Sequence, residues 1–122
     1  LEFDVTVTMY NPLSSQTDST PNQTADGTII DINRASEYRY VALSRDLIAR
    51  WGGPFNYGDY VMIKGTDGYD GVYQVKDTMS PKFINRVDIL RTGGSKWFKF
   101  DNAVLYRYFK YDQVTLHKHE KP

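Results

Sequence analysis

VKDTMSPKFINRVDIL, residues 75–90, is the stretch on which the fold and its chemistry turn. Val87 and Ile89 flank Asp88, and side chains alternate between the two faces of an extended chain. If the apolar pair faces a core, Asp88 is held outward on a rigid strand. Asp77 closes the preceding β-rich run, just before the Thr78-Met79-Ser80-Pro81 turn. Should the two strands lie near each other, both carboxylates open on one groove, an arrangement suited to acid chemistry on a glycosidic bond. An isolated Asp has lost its proton at neutral pH, but a neighbouring carboxylate and partial burial raise its pKa. The same residues also allow a plainer reading, with Asp88 paired to Arg86 or Arg91 and Asp77 capping the turn.

Outward from this segment, strand signals recur. In residues 1–10 the odd positions Leu1, Phe3, Val5, Val7 and Met9 are apolar, while Glu2, Asp4, Thr6 and Thr8 are polar. That period of two is the mark of a half-buried strand. Tyr40–Leu43, Tyr60–Lys64, Gly71–Lys76, Val87–Leu90, Trp97–Phe100 and Ala103–Tyr111 read as further strands, with GTDGYD at residues 65–70 as a hairpin connection. Residues 11–28, NPLSSQTDSTPNQTADGT, have almost nothing to bury and form a long surface loop. Ser44 is placed to cap a helix of about two turns through Arg50, stopped by Gly52-Gly53. Many short strands and little helix argue for a small barrel and against a doubly wound sheet.

The chain has 122 residues, room for one domain. That domain is expected over residues 1–116, followed by a charged tail at 117–122. Fifteen Lys and Arg balance fifteen Asp and Glu, so the basic footprint that duplex phosphates demand is missing and nucleic acid is not an expected partner. No apolar run is long enough to span a bilayer. The sequence has no cysteine, which excludes disulfides, a thiol nucleophile and Cys-ligated zinc.

Several pieces together resemble the three-aspartate (3D) domain family, related to the catalytic barrel of membrane-bound lytic transglycosylase A and, more distantly, to rare lipoprotein A and expansins. They are Thr8-Met9-Tyr10 at the end of the first strand, Thr24-Ala25-Asp26-Gly27 in the long loop, and Tyr40-Val41-Ala42-Leu43-Ser44. Tyr57-Gly58-Asp59 leading into Val61-Met62-Ile63-Lys64-Gly65 follows, and then Lys76-Asp77-Thr78 with Asp88 eleven residues beyond Asp77. The resemblance runs from about Thr6 to Leu90. It implies a mainly β fold, a six-stranded double-psi β-barrel with one or two short helices.

The resemblance also implies cleavage of the MurNAc–GlcNAc bond of peptidoglycan glycan strands by a lytic transglycosylase-like reaction. Asp88 would be the general acid and base, with Asp77 as the partner that tunes its pKa or steadies charge at the anomeric carbon. Tyr10, Thr24 and Lys76 would bind substrate. Neither metal nor cofactor is required, and a monomer in an extracytoplasmic compartment is expected, its export signal already removed. Two positions depart from the family pattern: Ala42-Leu43-Ser44 stands where the family's first aspartate falls, and Met79 replaces the glycine of the Asp-Thr-Gly turn. A barrel that binds cell-wall glycan or protein without catalysis is therefore the alternative reading, since relatives of one fold need not share a reaction. An aspartic-protease-like use of Asp77-Thr78 would need a second copy of the motif.

Trp51, Phe55 and Tyr57 lie in one loop, WGGPFNY, which either forms a sugar-stacking shelf or covers an end of the barrel. His117 and His119 lack further ligands nearby and read as tail.

Overall fold

The alternating apolar pattern of residues 1–10 is satisfied by closure of the sheet on itself. The computed structural model describes residues 1–12 and 22–109. Its strands are β1 (Glu2–Tyr10), β2 (Tyr40–Leu43), β3 (Tyr60–Lys64), β4 (Gly71–Thr78), β5 (Arg86–Leu90) and β6 (Phe100–Arg107). They close a barrel in the order β1-β5-β2-β4-β3-β6. The pairs β1–β5 and β2–β4 are parallel and the other four are antiparallel. The mainly β, six-stranded barrel expected from the resemblance is the observed fold.

The barrel is filled by alternate residues of every strand, among them Val5 and Val7, Val41 and Leu43, Val61 and Ile63, Tyr73 and Val75, Val87 and Ile89, and Ala103 and Leu105. Burying each such branched side chain contributes about 1.5–3 kcal/mol. A second, smaller cluster lies outside the barrel, where Ile30 and Ala35 pack on Leu90 with Tyr10, Tyr38 and Tyr40 around them. This outer layer fixes the 22–38 segment against β5 and so determines where the long loop delivers its polar residues.

Three expectations differ from the structure. The helix from Ser44 to Arg50 is replaced by two 3-10 turns, Arg45–Leu47 and Ala49–Trp51, separated by extended Ile48. Ile48 is buried and bridges Phe55 in parallel, so the chain gives up a helical turn to bring both side chains into the core. Ser44 makes no side-chain cap, and its hydroxyl instead accepts the Arg86 N–H. Trp97–Phe100 is not a separate strand, because Phe98 leaves the sheet to stack on Tyr69 at 4.1 Å and β6 runs unbroken from Phe100. An unanticipated 3-10 segment, Ile32–Tyr38, follows the Asp31 cap, and only its Ala35 is buried. The expected tail, with His117 and His119, and the end of the last expected strand lie outside the described residues. Among the described residues no helix is long and apolar enough to cross a membrane.

Gly53 makes the Ile48–Phe55 bridge possible. A Cβ there would overlap backbone atoms of Asp46, Leu47 and Ile48. Gly53→Ala is therefore expected to destabilise the domain by about 3 kcal/mol and to lower Tm by roughly 10 °C in a thermal melt. A melt within a degree of wild type would show that this turn does not constrain the core.

Candidate functional site

Thr8, Asp88, Ala42 and Asp77 form one row across four adjacent strands. Thr8 on β1 pairs with Asp88 on β5, Asp88 pairs with Ala42 on β2, and Ala42 pairs with Asp77 on β4. Their neighbours Val7, Val41, Val87 and Ile89 fill the core, so by alternation the row lies on the outer face of the barrel. The register between β2 and β4 shifts after Val41, skipping Lys76, and this irregularity turns Asp77 to the same face as Ala42 and Asp88. The two carboxylates thus flank one alanine, their α-carbons two strand spacings apart, about 9–10 Å.

Asp77 is gripped from two directions. Its Oδ2 accepts the Tyr10 hydroxyl at 2.8 Å, and its Oδ1 accepts the Ala25 N–H at 2.6 Å. Burial nevertheless dominates and raises its pKa to about 6, opposed by these two hydrogen bonds. Asp88 accepts a short hydrogen bond from Thr8 Oγ1 and lies 3.5 Å from Arg86 Nε, which also donates to Thr8 Oγ1 at 3.0 Å. Burial raises the Asp88 pKa too, while Thr8 and Arg86 pull it down. Both acids are half-buried, and Ala42 and Thr8 between and beside them are closed to solvent.

Tyr10 is the hydroxyl donor to Asp77. Its hydroxyl titrates well above the usual tyrosine range, first through burial and then through Asp77, Asp88 and Asp26, so it remains a neutral donor. Asp26 is a third carboxylate at the site, brought there by the loop. Desolvation pushes its pKa up, but hydrogen bonds from Thr24, Thr28 and Lys76 prevail and hold it at about 2. Thr24 is buried with its hydroxyl on Asp26, and Lys76 Nζ binds Asp26 Oδ2 and Thr28 Oγ1, each at 3.1 Å. The polar atoms of Thr24 and Lys76 are therefore spent on holding the loop against β4.

Of the residues singled out from sequence, Asp77, Asp88, Tyr10, Thr24 and Lys76 all meet around this row. Thr8, Asp26 and the Ala25 N–H were not anticipated as site groups, although the Thr-Ala-Asp-Gly turn contains two of them. At the position of the family's first aspartate, Leu43 is wholly buried in the core, so no carboxylate belongs there. The WGGPFNY loop divides: Phe55 is buried, Tyr57 half-buried and Trp51 exposed. Burial and Asp77 raise the Tyr57 pKa, Arg50 lowers it, and Asp26 and Arg45 act more weakly in the same two senses. Among the described residues no group of three or more His, Asp or Glu is placed to hold a metal ion.

No family model matches the chain, and no curated protein matches it. Among solved structures the chain is similar to a point-mutant expansin of Clavibacter michiganensis in complex with cellohexaose, with a TM-score of 0.54 and 14% identity over 89% of this chain. The chain spans 51% of that expansin's length. At this identity the likeness is one of fold: an expansin-like barrel, here carrying an acidic row under a polar loop.

The row sets the pH dependence of stability. Asp77 keeps its proton to about pH 6 in the folded protein but only to about pH 4 in the unfolded chain. The folded state binds more protons between those values, so stability falls as pH rises from about 4 to about 7, by about 3 kcal/mol from this residue. Asp26 works oppositely: its contribution is present above about pH 4 and is lost as pH falls through its folded value of about 2. Urea denaturation across pH 4–7 is expected to show a flatter profile for Asp77→Asn than for wild type. An identical slope would assign the effect to other groups.

Proposed function

We propose that this barrel binds a cell-wall polysaccharide across the outer face of β1, β5, β2 and β4, in an extracytoplasmic setting. The observation that carries the reading is the placement of Asp88 and Asp77 in one row with only Ala42 between them. Each half-buried carboxylate oxygen can accept more than one hydrogen bond, so the row offers acceptors for sugar hydroxyls beyond those used inside the protein. The half-buried Tyr57 ring supplies an apolar face of the kind that pyranose C–H groups favour. Tyr10 donates within the site, and Thr24 and Lys76 act as positioning residues for the loop. The similar expansin was solved with cellohexaose bound, which supports a glycan as ligand. Peptidoglycan glycan strands are the specific polymer that the resemblance to three-aspartate domains suggests.

Cleavage of the MurNAc–GlcNAc bond is the second reading, favoured by one observation: Asp88 and Asp77 lie on the same face and burial raises the pKa of both. Two carboxyls serve one glycosidic bond at separations of about 5–9.5 Å, close to the ~9–10 Å between the α-carbons of Asp77 and Asp88 across Ala42. In this reading Asp88 is the general acid and base, and Asp77 its partner. In the water-free course to a 1,6-anhydro end, Asp88 protonates the leaving oxygen as its bond to C1 breaks, and the resulting carboxylate takes the proton of the muramyl C6 hydroxyl as that oxygen bonds to C1.

Sedimentation with purified peptidoglycan and with cellulose tests the binding. Wild type is expected to be retained on wall polymer, and Asp77→Ala to be retained about tenfold more weakly, the effect of losing a charged hydrogen-bonding group. Failure of wild type to bind any wall polymer overturns the proposal. Mass spectrometry of the supernatant separates the two readings: anhydromuropeptides released by wild type and not by Asp88→Ala establish cleavage, and retention without release leaves binding alone.

A further inference from the structure

Two stretches beside the acidic row set cations on aromatic rings. Arg45 and Arg50 both lie on Trp51, their guanidinium carbons 4.7 and 5.3 Å from the ring centroid. Lys82 and Arg86 lie on Phe83 at 5.1 and 4.5 Å. Backbone contacts join the stretches into one rim. Arg45 Nε donates to the Met79 carbonyl at 3.3 Å, and the Asn85 N–H donates to Asp46 Oδ2 at 3.0 Å.

The two stretches of this rim carry one carboxylate, Asp46, and its Oδ2 accepts the Asn85 N–H. Among the described residues no carboxylate oxygen lies within 4.0 Å of Arg45, Arg50 or Lys82. In a chain whose charges cancel overall, three cations without ion-pair partners among the described residues are a local excess on one rim. The rim adjoins the row at both ends, because Arg86, which lies on Phe83, is 3.5 Å from Asp88 Oδ1, and Met79, whose carbonyl accepts from Arg45, follows Asp77 by two residues. A neutral polysaccharide gives such cations nothing to pair with. A planar carboxylate fits a guanidinium fork through two parallel hydrogen bonds, and an aromatic neighbour keeps the fork ordered.

We propose that Arg45, Arg50 and Lys82 form a carboxylate subsite beside the acidic row, so that the polymer bound there is an acidic glycan. The proposal rests on the glycan-binding reading and narrows its ligand. Sugar uronates and the lactyl or peptide carboxylates of peptidoglycan offer the same chemistry, and the two are told apart by the polymer used.

The test compares retention on polygalacturonate with its methyl ester, and on peptidoglycan with carbodiimide-amidated peptidoglycan, each pair differing in charge alone. Wild type is expected to bind the carboxylated member of at least one pair about tenfold more tightly, and the pair that discriminates names the source. The preference is expected to shrink between 0.05 and 0.5 M salt, as contacts between exposed charges do. Arg50→Glu with Lys82→Glu is expected to bring the ratio close to one, whereas Arg45→Lys, which keeps the charge, retains part of it. Circular dichroism confirms that the variants are folded. Equal binding to both members of both pairs overturns the carboxylate subsite while leaving glycan binding in place, and absence of binding to every polymer overturns the glycan reading itself. Equal capture by anionic lipid vesicles also overturns it, since the rim would then respond to charge and not to a glycan.

Discussion

The Asp77 carboxylate is the point at which three separate parts of the chain are held together. It belongs to β4, accepts the hydroxyl of Tyr10 from β1, and accepts the Ala25 N–H from the long loop. β1 and β4 are not neighbours in the barrel, since β5 and β2 stand between them. Tyr10 therefore reaches across two strands to the acid while its ring packs on the cluster of Ile30, Ala35 and Leu90. The clamp is costly in isolation, because a half-buried carboxylate is poorly solvated, and the raised pKa of Asp77 records that cost.

Charge at the site is divided by function. Asp26 is fully committed inside the loop, with Thr24, Thr28 and Lys76 around it and a pKa held at about 2. Its ion pair with Lys76 stiffens the loop beside the more labile Asp77. Asp88 is held by Thr8 and Arg86 on the far side of Ala42. One acid is thus fixed as an anion, while burial raises the pKa of the other two and the neutral Tyr10 phenol donates to Asp77.

Much of this was legible in the residues. The alternation in residues 1–10 and around Asp88 reflects a core that admits only one face of each strand, so strand identity and the outward aim of Asp88 could be read directly. That Asp77 and Asp88 share one face could be read from the residues only as a condition, because it depends on one parallel and one antiparallel pairing through β2, a strand distant in sequence from both. The broken helix at Ile48 was hidden for a similar reason: its partner Phe55 draws it into a bridge that no local pattern announces. Asp26 was overlooked as a site residue because its role arises from where Ile30 and Ala35 dock the loop on Leu90, a packing contact and not a motif.

Closure of the barrel has a further consequence for a protein that would work crowded on an insoluble surface. Each of the six described strands finds hydrogen-bonding partners on both sides within its own chain, so among the described residues the barrel leaves no open edge to recruit a strand from an adjacent copy. Molecules can accumulate side by side at high local density without templating one another into fibrils, and their solubility then depends on the exposed side chains alone.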